Sequence, residues 1–110
     1  MKFYPVVRRN YQPIDPIISS WAEDNSLDLI SQYQGEEVRS FYFVDDEGDV
    51  RFQIWIDPLA EDGSIEVHVW EIKKGISERR QTEPIDLIAL SYNLREKLTE
   101  ALKFVRIEES

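Results

Sequence analysis

A single histidine, His68, and no cysteine stand among the 110 residues. That inventory removes the thiolate nucleophile, the disulfide framework and the common structural zinc sites, which need several histidines or cysteines. A Ser–His–Asp triad needs only one histidine, but no strand–turn–helix nucleophile motif accompanies this one. His68 lies between Val67 and Val69, the setting of a surface or cross-strand residue. The run Asp45-Asp46-Glu47-Gly48-Asp49 offers the oxygens that calcium takes. An EF-hand loop continues its ligands well past its glycine, whereas strand residues follow Gly48, so the run reads as a hairpin turn, and Glu61-Asp62-Gly63 as another. No carboxylate pair suited to glycoside hydrolysis stands out among the 22 acids. The four glycines are isolated, which excludes a glycine-rich phosphate loop. Lys73-Lys74 and Arg79-Arg80 form a basic stretch, diluted by Glu78 and Glu83 and too small for a nucleic-acid footprint. The chemistry therefore points away from an enzyme, with no cofactor and no metal expected.

Charge is more informative. The formal net charge is −9, and it is unevenly spread. Residues 1–14 carry three bases and no acid; residues 15–71 carry 15 acids against Arg39 and Arg51; residues 72–110 are nearly balanced. An acidic middle repels nucleic-acid phosphates and anionic membranes. It attracts a basic protein and speeds the encounter, although acidity also serves solubility alone. No apolar run approaches the roughly 20 residues of a membrane helix, and Met1-Lys2-Phe3-Tyr4-Pro5 lacks the apolar stretch of a secretory signal. The expected compartment is the cytoplasm.

The elements that must position these residues follow from periodicity. The length and a hydrophobic fraction of 42% suit a single domain, 1–110. Residues 1–12, with Pro5 interrupting Phe3, Tyr4, Val6, Val7 and Tyr11, read as an N-terminal arm or edge strand. Asp15 is a suitable N-cap with Pro16 at the first helical position, and Ile17, Ile18, Trp21 and Ala22 make an apolar face. Leu27, Leu29, Ile30 and Tyr33 resume the stripe up to Gly35, which fits one kinked helix or two short ones. Strands are expected over 38–45, 50–57 and 65–72, while 75–81 fits a turn, a fourth strand or a helix lead-in. A long helix is expected from about Glu83 to Val105, with Thr82 as N-cap, Pro84 in its first turn, and Leu87, Leu90, Leu94, Leu98, Ala101, Leu102 and Val105 at helical spacing. Ile85 and Ile88 widen that face, so its start should be the more deeply buried end. The fold class is α+β: an N-terminal helix, a three-stranded antiparallel meander, and a long C-terminal helix packed on one sheet face.

Alternation assigns the two faces of that sheet. Val50, Phe52, Ile54, Ile56, Ile65, Val67 and Val69 should meet the helices, leaving Arg51, Gln53, Trp55, His68, Trp70 and Ile72 on the other side. Trp55 and Trp70 are then partly exposed unless the arm with Phe3, Tyr4 and Tyr11 covers them, or a second copy in a homodimer, or a foreign partner.

In size, acidity and element order the whole chain resembles the immunity proteins of bacterial toxin systems, the antidotes of contact-dependent-inhibition and other polymorphic toxins. The resemblance implies a stoichiometric inhibitor bound to a toxin domain, often a basic nuclease. On that reading Asp45, Asp46, Glu47, Asp49, Glu61 and Asp62 steer the partner, and Trp55, Trp70 and His68 anchor it. The acidity and mixed order are also similar to the secretion-type chaperones, which hold an extended effector segment, so a non-catalytic interaction module of that kind is the alternative.

Overall fold

The computed structural model describes residues 10–74, 79–81 and 85–109. Helix α1 (Asp15–Asp24) begins with proline in its first turn. It buries Ile18, Trp21 and Ala22, spaced three and four apart on one face. Asp15 is the first helical residue rather than the cap; the cap position falls to Ile14, which makes no side-chain cap bond. The Asp15 carboxylate is instead engaged by Arg39. The helix ends at Asn25, whose Nδ2 donates to the Trp21 carbonyl at 2.8 Å.

Six antiparallel strand segments follow: β1 (Ile30–Tyr33), β2 (Glu36–Val44), β3 (Val50–Ile56), β4 (Ser64–Lys74), β5 (Arg79–Gln81) and β6 (Ile85–Leu90). They fill five positions, because β5 and β6 take up successive lengths of the same edge of β4. Ile72–Lys74 pair with β5, and Ser64–Val69 pair with β6. The order across the sheet is thus β1, β2, β3, β4 and then β5 with β6. A 3₁₀ turn, Ser91–Asn93, leads into helix α2 (Leu94–Glu109).

Three expectations are corrected. The sheet has five positions rather than three strands, since the stripe Leu27–Tyr33 ends in β1 and not in more helix. There Ser26 takes φ of 56°, and the Gln34–Gly35 pair takes φ of 51° and 81°. Two successive positive values make the tight turn that joins twisted strands, and glycine accommodates the second without a Cβ penalty. Of the alternatives left open for 75–81, the strand is the one its last three residues take, as β5. The long helix starts at Leu94, not Glu83: residues 85–90 are β6, with Ile85, Leu87 and Ala89 opposite Val69, Val67 and Ile65. Ile85 and Ile88 are 42% and 63% exposed, so the expected deep burial of that end does not occur. The cap and first turn assigned to Thr82 and Pro84, and the arm residues Phe3 and Tyr4, lie outside the described residues.

Both helices pack on one face of the sheet. Leu94, Leu98, Ala101, Leu102 and Val105 of α2 join Ile14, Ile18 and Trp21 against Phe41, Phe52, Ile54, Ile56, Ile65, Val67 and Val69. Of the expected inward set only Val50, beside the register shift at Val44, is less than fully buried. Trp21 ties the layers together. Its ring meets Phe41 edge-on at 5.4 Å, and its Nε1 donates to Thr99 Oγ1 of α2 at 3.1 Å. Full burial of each large aliphatic side chain here is worth about 1.5–3 kcal/mol. Among the described residues, no helix is long and apolar enough to cross a membrane.

Candidate functional site

No described element covers the other face. Register places its residues in rows across the strands: Ser40, Trp55, His68 and Asp86 in one, Tyr42, Gln53 and Trp70 in the next. The expected sharing of this face by Gln53, Trp55, His68 and Trp70 therefore holds. Trp55 and Trp70 are each half-buried. They touch edge to face at 4.6 Å, in the geometry their quadrupoles favour. The Trp70 indole N–H is out of solvent with no acceptor among the described residues. A groove of about 420 Å³ runs beside the rings, with Tyr33, Val38, Tyr42, Gln53, Trp55 and Asp57 in its wall. Tyr11 and Arg39 also line it. Tyr11 is the one described residue of the expected arm that reaches the sheet, through a 2.9 Å bond from its hydroxyl to the Ile56 carbonyl.

His68 is the centre of this face. Strand pairing sets Trp55 on one side of it, where the indole stacks on the imidazole at 4.3 Å and 22°. Asp86 stands directly opposite in β6 and meets Nδ1 at 2.5 Å. Asp57, just past the end of β3, meets Nε2 at 2.8 Å. Its backbone N–H donates to the Glu66 carbonyl at 2.9 Å, and the following Pro58 disfavours a helical backbone there. That brings Glu66, on the same face of β4 as His68, to 3.8 Å from Nε2. Only 8% of His68 is exposed. Burial alone would lower its pKa, but hydrogen bonds and charge from Asp86 and Asp57 outweigh it and hold the imidazole above its ordinary value. Both ring nitrogens are engaged by carboxylates, so the ring ties β3, β4 and β6 together. Three carboxylates thus surround one imidazole.

Compared with protein-family models, curated proteins and solved structures, the chain matches none.

The expected steering acids fall in two places. Asp45, Asp46, Glu47 and Asp49 form the β2–β3 turn, where Asp45 Oδ1 accepts from the backbone of Glu47 at 2.9 Å and Asp49 at 3.0 Å. Gly48 takes φ of 84° there, a conformation that suits glycine. Glu61 and Asp62 lie in the β3–β4 loop at the other end of β3, whose seven residues span roughly 20 Å. Asp62 accepts from Ser64 Oγ and from its backbone N–H, and these bonds lower its pKa. The two sets do not form one patch.

Sequence reasoning missed the acids that do surround His68. Asp57 and Glu66 were within reach of the alternation pattern, being at the strand end and two residues from His68. Asp86 was not, because 85–90 reads as helix. It also missed Arg39, whose guanidinium binds Asp15 at 2.6 and 3.0 Å, Glu37 at 2.9 Å and the Val38 carbonyl at 2.7 Å. The hydrogen bond to Asp15 is the main reason its pKa is raised, and the guanidinium also sits 4.4 Å over the Tyr11 ring.

Proposed function

We propose that the chain is a small acidic protein-binding module, an immunity protein that binds and neutralises a cognate bacterial toxin domain, with a basic nuclease as the partner its charge suits best. One observation supports this above the others. The face that no described element covers carries Tyr42, Trp55 and Trp70 beside a groove, fringed by Asp57, Glu66 and Asp86. Rigid aromatic anchors bury much area at small entropic cost, and flanking acids select a cationic surface. The acids of the two end loops act at longer range, steering rather than anchoring.

The test is capture on the immobilised chain from an extract of the organism that encodes it, with stepped-salt elution, followed by assay of the recovered protein with and without the chain. A folded basic protein whose activity disappears at one-to-one stoichiometry supports the reading. An extended segment bound without loss of activity would instead identify a secretion-type chaperone. Recovery of nothing specific would remove the partner hypothesis. Trp55→Ala and Trp70→Ala, each still folded by circular dichroism, should then lose the capture.

A further inference from the structure

The geometry points to a divalent metal site at Asp57, Glu66 and His68, with zinc as the ion that fits it best and Asp86 as the residue that orients the histidine. One donor atom from each of the three lies within 4.8 Å of the others. Ligands held 2.0–2.1 Å from a tetrahedral ion stand about 3.3 Å apart. The spacings from Nε2 are 2.8 Å to Asp57 and 3.8 Å to Glu66, on either side of that value. Shifts of the two carboxylates, which are 39% and 51% exposed, would seat the ion, while the imidazole need not move.

The histidine is already arranged as a ligand. Its Nδ1 faces Asp86, a carboxylate that favours a proton on that nitrogen, and Nε2 is turned toward the other two acids. Metal-bound histidines are held in this way by a carboxylate on the far nitrogen. Trp55 stacked on the ring prevents it from turning. Backbone pairing of Asp57 with Glu66 fixes the two remaining ligands opposite each other. One imidazole with two carboxylates suits zinc, manganese or cobalt over magnesium or calcium, which take oxygen alone, and among those three zinc binds such donors most strongly. The ion takes the place of the proton between Nε2 and Asp57. Three protein ligands leave a fourth position open to water or to a group from a bound partner. The acid-only group Asp45, Glu47 and Asp49 lacks a nitrogen donor and serves as the control.

The experiment is calorimetric titration of zinc chloride into the full chain stripped of metal with chelator, with cobalt(II) absorption as a second readout. One ion per chain at micromolar concentration, and the visible bands of four-coordinate cobalt, are expected. His68→Asn should abolish both signals. Glu66→Gln, at an exposed side chain whose loss leaves the fold intact, should weaken binding at least tenfold, and Glu47→Gln should leave it unchanged. Asp86→Asn should weaken zinc by about tenfold while retaining the cobalt bands, as expected of an orienting residue. No binding at millimolar zinc, binding unaffected by Glu66→Gln, or binding lost with Glu47→Gln would each overturn the assignment.

Discussion

Replacing Arg39 by alanine tests how α1 is held to the sheet. The Arg39 side chain is 10% exposed, yet its partners differ from it: the side chains of Asp15 and Glu37 are 36% and 47% exposed. Breaking a fully buried ion pair costs about 3–5 kcal/mol, and an exposed pair is worth about 0.2–1 kcal/mol. Arg39→Ala frees two carboxylates that water can reach, which lowers the cost. It also strips the Val38 carbonyl of a donor and removes the cation from the Tyr11 ring, which adds to it. A loss of roughly 2–3 kcal/mol is expected between those limits, or a fall in Tm of about 10 °C or more. Asp15→Asn should cost less, about 1–2 kcal/mol, because Glu37 and the carbonyl still hold the guanidinium. The double variant should cost little more than Arg39→Ala alone, since both single changes remove the same contact. Urea unfolding followed by tryptophan emission, to which buried Trp21 contributes, measures all three. A loss below about 0.5 kcal/mol for Arg39→Ala, or full additivity in the double variant, would show that solvent screens the pair.

Leu98→Ala, at a fully buried position of α2, should destabilise the fold by about 3 kcal/mol in the same assay. Trp55→Ala should cost only about 1 kcal/mol of stability, from the lost contacts with Trp70 and His68. In a partner-binding assay it should cost about 2 kcal/mol or more. Raising salt to physiological strength should slow association with a partner far more than it speeds dissociation, measured by surface plasmon resonance. For Asp62 the folded pKa lies below the unfolded one, so its contribution to stability is complete above the unfolded value and is lost as pH falls through the folded one. Carboxyl NMR should show that pKa return toward 3.8 in Ser64→Ala.

The two central strands were legible because Phe52, Ile54 and Ile56, and then Ile65, Val67 and Val69, alternate with polar or aromatic neighbours in a pattern no helix can bury. Residues 85–90 deceived for a definite reason. Leu87 and Leu90 lie in helical step with Leu94 and Leu98, while Ile85, Leu87 and Ala89 lie equally in strand step. Local sequence cannot separate the two periods over so short a run; pairing with β4 decides it. That one error concealed Asp86, and with it half of the grip on His68. Ile30 and Tyr33 deceived likewise, since a four-residue edge strand offers too few alternations to register. Arg39 stood out in the sequence only as a rare base in an acidic stretch. Its partner Asp15 lies 24 residues away and is brought near by the return of the chain through β1 and β2.

The edge-to-face contact of Trp55 and Trp70 also has an optical consequence. Two indoles with centroids 4.6 Å apart and planes inclined at 71° are close enough for their ultraviolet transitions to couple. The coupled pair contributes an exciton doublet to the circular dichroism spectrum, distinct from the backbone bands and from the isolated indole of Trp21. The outer face thus carries its own chromophore. A ligand that parts the rings by even a small angle changes the doublet while the helix and strand signals stay constant, so occupancy of this face is readable without a label.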